Sequence, residues 1–207
     1  MITSGSSKTS VYEDRDHVFG MLPRTEQYSS PFLEASKSSG AKSVAYVFEG
    51  AIPSATLFKE EFVAAFDLDL VERYELSDNP DEEDFDRAVQ ALSLVDPDVV
   101  VMSILSGCPT FVKSLRKLNW LPKAIWFNSC IQDESLLNEV GVRDMSYMTG
   151  FAAWSPDLPS VPDAVTSWPK QFAEIFQQSS LLQPTYLGAA VTSSVSVLVQ
   201  AIEMANS

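Results

Sequence analysis

Short apolar runs alternate with amphipathic segments along most of the 207-residue chain. The apolar runs have the length and composition of β-strands and lie at residues 43–48, 70–76, 98–103, 123–128 and, more weakly, 147–153. Between them, apolar residues recur at three- and four-residue steps, which predicts helices at residues 54–66, 81–92, 111–118 and 135–140. Strands that alternate with helices build right-handed βαβ units. The sequence therefore predicts an α/β fold: a doubly wound parallel sheet of about five strands, in the order 2-1-3-4-5, with helices on both faces.

The carboxyl-terminal quarter follows a different pattern. A proline-rich stretch at residues 155–162 precedes two predicted helices, one at about residues 169–177 and one from 184 to about 205. The longest uncharged run falls between Glu174 and Glu203, but Pro184 interrupts it and Gln, Ser and Thr dilute it. A membrane-spanning helix needs about 20 predominantly apolar residues. We therefore interpret this run as a buried helix of a soluble domain, without membrane insertion.

The net charge of the chain argues against some classes of function. The chain has 28 acidic and 14 basic residues, a net charge of −14. A surface this acidic repels phosphate backbones and anionic lipid headgroups. The composition thus argues against nucleic-acid binding and against docking on a membrane surface.

Motifs for catalysis, cofactors and metals are not found. The segment at residues 4–9 resembles a phosphate loop but lacks the required glycines, and the acidic segment at 78–84 lacks the glycine of a calcium loop. We read the acidic segment as a capped helix start whose carboxylates suit the helix dipole. His17 is the only histidine, and no nucleophile is paired with a base. The sequence therefore predicts no enzyme, no cofactor and no metal site.

Two cysteines remain open to two interpretations. Cys108 and Cys130 follow the third and fourth predicted strands. Neighbouring strands lie about 4.8 Å apart, so a disulfide is sterically feasible. The alternative, which the sequence favours, is that they are two independent small hydrophobic side chains.

A series of short segments, in order, resembles the type I periplasmic binding-protein family. They lie at residues 2–9, 18–23, 40–47, 84–85, 96–101, 115–123, 154–156, 184–190 and 201–205. The resemblance implies a two-lobed parent in which this chain supplies mainly the second lobe. It predicts a partial first-lobe or hinge segment at residues 1–39, the second lobe at 40–183, and a helix at 184–207 that returns toward the first lobe. The segment up to about Ser39 is expected to pack poorly, or in a manner unlike the family, without that lobe.

The same resemblance implies a function. Family members bind amino acids and other small polar solutes outside the cytoplasm, and they work with a membrane transporter or as receptor ectodomains. We expect this chain to be such a ligand-binding lobe, extracellular or periplasmic, with a homodimer as a further option. No signal peptide is recognisable at Met1–Gly5. The alternative is a non-binding interaction or dimerisation module descended from such a lobe, because the aromatic and acidic anchors of amino-acid binders are replaced here.

The predicted ligand site lies where strand order reverses, at the carboxyl ends of the strands. Its candidate residues are Ser6, Ser7, Phe48, Glu49, Ser103, Ser106, Asn128, Ser129 and Trp154. Glu49 is the most informative of them, since a carboxylate there favours a cationic or hydroxyl-bearing ligand. The competing interpretation is that Glu49 faces solvent and caps the following helix.

Overall fold

A computed structural model describes residues 2–3, 11–22, 27–50, 58–132, 134–152, 154–157, 169–180 and 184–205. Its strands are β1 (Ile2–Thr3), β2 (Phe19–Gly20), β3 (Ser43–Glu49), β4 (Asp69–Leu76), β5 (Val99–Ser103), β6 (Ala124–Phe127) and β7 (Met148–Gly150). Its helices are α1 (Ser30–Ser38), α2 (Glu60–Ala64), α3 (Glu82–Val95), α4 (Cys108–Lys117), α5 (Glu134–Val140), α6 (Pro169–Ser180) and α7 (Tyr186–Ala205). The chain forms two compact units, residues 26–151 and residues 1–25 together with 152–207.

The larger unit is built on a parallel sheet. Its strands lie in the order β4-β3-β5-β6-β7, and each neighbouring pair is parallel. Counted along the chain from β3, this is the predicted order 2-1-3-4-5. The chain starts in the sheet interior at β3, moves outward to β4, and then returns across β3 to β5, where strand order reverses. The predicted fold is confirmed.

Helices cover both faces of this sheet. Six of the seven residues of β3 are buried, as expected for a strand covered on both sides. On one face, Ala45 and Val47 share a core with apolar residues of α3, α4 and α5. On the other face, Val44 and Tyr46 share a second core with residues of α1 and α2. The sheet is therefore doubly wound.

Local sequence explains where α3 begins. Asp81 accepts a hydrogen bond from the backbone N–H of Asp84 at 3.0 Å, and Asp84 accepts one from the N–H of Asp81 at 3.2 Å. This reciprocal capping box satisfies two backbone donors that a helix start leaves free. The acidic segment thus serves as the predicted helix cap. Among the described residues, no group of three acidic, histidine or cysteine side chains is placed to hold a metal.

The predicted segment boundaries differ from the observed units. The helix α1 precedes the boundary predicted at residue 39, yet it lies in the same unit as the sheet. Its Leu33 is fully buried against the sheet, because the apolar side of α1 covers Val44 and Tyr46. The expectation that residues up to Ser39 pack poorly is therefore wrong for α1. Of the predicted helix at 54–66, residues 60–64 are helical and 51–57 lie outside the described residues.

The smaller unit contains a two-residue parallel pair, in which Ile2 aligns with Phe19, together with α6 and α7. The helix α7 carries an exposed apolar stripe at helical spacing. The stripe consists of Val191, Val195, Leu198 and Ile202, each about half exposed. The prediction of a buried terminal helix is therefore wrong. By length and composition, residues Gly188–Ala205 also form the one segment among the described helices that could cross a membrane.

Candidate functional site

Polar side chains meet at the carboxyl edge of the sheet, on both sides of the loop that joins β5 to α4. The register pairs Phe48 with Ser103, so Glu49 and the loop after Ser103 lie beside each other. Strand β6 ends at Phe127 on the other side, and Asn128 and Ser129 follow it. Because strand order reverses between β3 and β5, this loop lies at the switch point where open α/β sheets bind ligands.

Glu49 holds the loop from the β3 side. Only 3% of the residue is exposed, and its Oε1 accepts a hydrogen bond from the backbone N–H of Leu105 at 2.9 Å. A buried carboxylate needs such a donor, because an unpaired charge in the interior is costly. The interpretation that Glu49 faces solvent is wrong. The carboxylate instead fixes the backbone of the β5–α4 loop.

Asn128 and Ser129 hold the same loop from the β6 side. The Oδ1 atom of Asn128 accepts from the N–H of Ile104 at 3.1 Å, and the hydroxyl of Ser129 donates to the carbonyl of Ile104 at 2.6 Å. The backbone N–H of Asn128 donates to the carbonyl of Met102 at 3.0 Å, which extends the sheet ladder past the end of β6. The two neighbouring strands thus clamp one loop through side-chain and backbone bonds.

A disulfide fixes the end of this loop. Cys108 and Cys130 are joined, with their Cα atoms 6.0 Å apart, which settles the alternative left open by the sequence.

Gly107, just before α4, has φ +79°, and a Cβ at this position would lie 2.6 Å from the ring of Phe85. A residue with a side chain would be strained there and would also collide with Phe85. Glycine is therefore required where the loop turns into the helix.

The other predicted site residues have different surroundings. Ser103 is buried at the end of β5. Ser106 is exposed in the loop, and its hydroxyl makes no hydrogen bond within the part of the chain that the structure describes. Phe48 lies on the other sheet face, where its ring stacks on Tyr46 and lies 5.3 Å from the guanidinium carbon of Arg73. Phe48 is therefore a packing residue.

The remaining three predicted residues lie outside the larger unit. Trp154 belongs to the smaller unit, where its ring meets Phe172 edge-on at 5.6 Å. Ser6 and Ser7 lie outside the described residues. What sequence reasoning missed is the role of the loop backbone: the N–H groups of Ile104 and Leu105 are held by Asn128 and Glu49. A glycine before a predicted helix, Gly107, was the available signal for a special turn.

The edge has acidic character. The Oδ1 of Asp78 lies 3.7 Å from where a Cβ on Gly50 would be, and a carboxylate oxygen of Glu75 lies closer still. Together with Glu49, these groups place three carboxylates around the end of β3. A hydrogen bond from a neutral N–H stabilises a carboxylate without cancelling its charge. The described residues of this edge can therefore offer hydroxyls, loop backbone and negative potential to a ligand, and none of them places a nucleophile beside a base.

Comparison with known proteins identifies the family of this chain. The sequence model of periplasmic binding proteins matches residues 1–207. This chain belongs to the periplasmic binding protein family. Members of the family are solute-binding proteins, found in the periplasm or outside the cell. A search of curated protein sequences gives no match.

Solved structures confirm the fold. The chain is similar to a leucine binding protein from Thermotoga maritima, with a TM-score of 0.76, 19% identity, and coverage of 100% of this chain and 58% of that one. It is also similar to an ABC-transporter solute binding protein from Rhodopseudomonas palustris BisB5 in complex with 3,4-dihydroxybenzoic acid (TM-score 0.68, 16% identity, 98% and 55% coverage). An extracellular ligand-binding receptor from Verminephrobacter eiseniae gives a TM-score of 0.60 at 14% identity, with 86% and 50% coverage. The chain thus spans little more than half the length of these proteins.

Proposed function

We propose that this chain is the ligand-binding lobe of a solute-binding or receptor-sensor protein and that it recognises a small polar molecule at the carboxyl edge of its sheet. The observation that carries the proposal is the clamped β5–α4 loop in a member of the periplasmic binding protein family. Glu49 and Asn128 hold its two N–H groups from opposite strands. A loop fixed at a switch point presents its remaining groups in one geometry, which lowers the entropy cost of binding.

The ligand class follows from the chemistry of this edge. The exposed hydroxyl of Ser106 is available to a ligand, and the carboxylates of Glu49, Glu75 and Asp78 bias the local potential toward cations and hydroxyl-bearing molecules. Among the related structures, one is named a leucine binding protein and another is in complex with 3,4-dihydroxybenzoic acid. The acidic edge of this chain favours a ligand that carries an ammonium or hydroxyl group, such as an amino acid.

Two further features support a partner lobe and an oxidising compartment. The neighbours in structure are almost twice as long as this chain, and α7 presents an uncovered apolar stripe. We infer that this stripe packs on a first lobe, which also closes the ligand cleft. The disulfide between Cys108 and Cys130 fits a periplasmic or extracellular location, because structural disulfides persist mainly in oxidising compartments. A transporter or receptor in the membrane is the expected larger partner.

A second candidate function is an interaction or dimerisation module without a ligand. The specific observation in its favour is that Glu49, Asn128 and Ser129 direct their hydrogen bonds to the loop itself. In that case the polar edge would only stabilise the fold, and the apolar stripe of α7 would be the functional surface.

The test uses a two-lobed protein that contains this lobe, since one lobe alone supplies half of a cleft. Amino acids, polyamines, sugars and aromatic carboxylates are screened by thermal shift. A ligand at 100 times its Kd stabilises the folded state by about 2.7 kcal/mol. Ser106→Ala should weaken the best ligand by up to about tenfold, the value of one hydrogen bond, without changing the stability of the free protein.

The matched control is Ser38→Ala, an exposed serine at the end of α1, on the opposite edge of the sheet. It should change neither stability nor affinity. A ligand whose stabilisation is unaffected by Ser106→Ala and also by Ser103→Ala would place the site elsewhere. If no compound stabilises the two-lobed protein while α7 mediates self-association, the interaction module is the better description.

A further inference from the structure

A cavity lies at the amino-terminal edge of the sheet, opposite the carboxyl edge described above. It has a volume of about 630 Å³ and lies between α4 and the segment that leads into β7. Leu115 and Leu121 contribute apolar surface, and Arg116, Arg143, Asp144 and Tyr147 contribute polar groups. The volume is within the range of about 300–1,000 Å³ that small-molecule sites occupy. All of these residues belong to the larger unit, so this cavity does not depend on a second lobe.

The cavity is lined by more positive than negative groups, although the chain as a whole is strongly acidic. Its lining holds two guanidinium groups and one carboxylate, whereas the whole chain has a net charge of −14. Arg116 forms an ion pair with Asp144 and donates to the carbonyl of Val140, the last residue of α5. Arg143 makes no ion pair or side-chain hydrogen bond with any residue that the structure describes. Arg143 is exposed, so its guanidinium is solvated and has no protein counterion among the described residues.

The partial charges at the helix ends beside the cavity do not cancel its positive charge. The helix α4 ends here, and helix carboxyl ends carry partial negative charge. Its last turn contains Arg116 and Lys117, but these are paired with Asp144 and Asp86. The partial charge of a helix end is about half an elementary charge, which is smaller than the full charge of Arg143. The carbonyl at the end of α5 is bonded to Arg116. The guanidinium of Arg143 thus remains the uncompensated group of the cavity.

Tyr147 adds an independent observation. Its φ is +65°, a left-handed conformation that bulky residues rarely adopt, although 78% of the residue is exposed. The sheet imposes this conformation, because the carbonyl of Tyr147 accepts from the N–H of Ile125 at 3.0 Å. Burial of the ring does not compensate for the strain. Residues held in strained backbone conformations cluster at functional sites.

We propose that this cavity is a second ligand site, which takes a small organic carboxylate with an aromatic or otherwise apolar body. The guanidinium of Arg143 pairs with the carboxylate in a bidentate manner, as arginine commonly does. The ring of Tyr147 and the side chains of Leu115 and Leu121 contact the apolar body. The site is separate from the acidic edge proposed for the main ligand, which disfavours anions.

The test uses the full chain, labelled with nitrogen-15, and benzoate as the probe. Benzoate should shift the amide signals of residues 143–147 and of Leu121, with millimolar or tighter affinity. Arg143→Gln should weaken binding about tenfold or more, since it removes a charge-assisted pair. Benzamide, which has the same shape without the charge, should bind the wild-type chain more weakly by a similar factor.

Arg87→Gln is the matched control, because it makes the same charge change on α3, outside the cavity. It should leave benzoate affinity unchanged. Equal benzoate affinity in wild type and Arg143→Gln, no binding, or shifts confined to Ile104, Leu105 and Asn128 would each overturn the proposal. The last of these results would place the aromatic carboxylate at the main site, so the two proposals fail separately.

Discussion

Removal of the disulfide tests how the loop at the carboxyl edge is held. The perturbation is the double variant Cys108→Ala with Cys130→Ala. The cross-link joins residues 22 apart in sequence, and it restricts the unfolded chain. In the chain-entropy description, a loop of this size corresponds to about 3 kcal/mol of stability at 25 °C. Because Cys108 is fully buried, the loss of its sulfur adds a smaller packing penalty.

Chemical denaturation of three samples measures the free energy of unfolding. Hydrogen exchange of the sheet amides in the same samples reports stability residue by residue. Oxidised wild type should be the most stable, and wild type in dithiothreitol should lose about 3 kcal/mol of unfolding free energy. The double variant should lose the same amount plus the packing penalty. The reduced wild type acts as the control, since its side chains are otherwise unchanged.

Hydrogen exchange in the β5–α4 loop shows whether the disulfide stabilises this loop specifically or only the fold as a whole. The amide protons of Ile104 and Leu105 are bonded to Asn128 and Glu49. The loop with these amides and the segment with Asn128 lead directly into the two cysteines of the cross-link. In reduced protein under native conditions these two amides should exchange about tenfold faster, a loss of about 1.4 kcal/mol in local stability. Amides of β3 should change only through global stability. Unaltered exchange at Ile104 and Leu105, or a global loss below about 0.5 kcal/mol, would refute the reasoning.

Two further predictions concern stability. Asp81→Ala should lower the unfolding free energy by about 1 kcal/mol, because it removes the cap of α3, and urea denaturation measures it; an unchanged midpoint would contradict the capping box. Asp98 accepts from the N–H of Lys42 at 2.7 Å, and the pKa of its carboxyl is lowered, chiefly by its hydrogen bond to Lys123. A lowered folded pKa means that the stabilisation exists above the unfolded value of 3.8 and disappears as pH falls through the folded pKa. Asp98→Asn should therefore cost about 1–2 kcal/mol at neutral pH, and this difference should shrink in strong acid; a cost that is the same at both pH values would contradict the assignment.

The sheet could be predicted because its signals are local. The interior strands β3, β5 and β6 are short, mainly apolar runs, and a run such as Val99–Ser103 is buried on both sides because helices cover both faces. Alternation with helices then leaves few topologies, since crossovers are right-handed and connections are short. The capping box of α3 is equally local, three residues apart.

Burial of the last helix could not be predicted, because burial depends on what lies opposite. The stripe of α7 has the spacing of a buried face, and in the smaller unit it remains half exposed. Amphipathic spacing shows that a helix has an apolar side, but it does not show whether the described chain contains the surface that covers it. The disulfide was undecided for a related reason, since strand neighbours place two cysteines near each other without fixing the direction of their side chains.

The positions of four candidate residues could be predicted, but their contacts only in part. Strand order placed Glu49, Ser103, Asn128 and Ser129 at one edge, and the structure confirms that they lie there. Their roles depend on the backbone of the β5–α4 loop, which offers N–H donors that no side-chain pattern reveals. Because these donors already engage Glu49 and Asn128, a ligand at the proposed site would be selected by other groups of this edge. Among the described residues these include the Ser106 hydroxyl and the carboxylates near the end of β3, which is why a serine with no structural hydrogen bond is the sharpest single test of ligand contact.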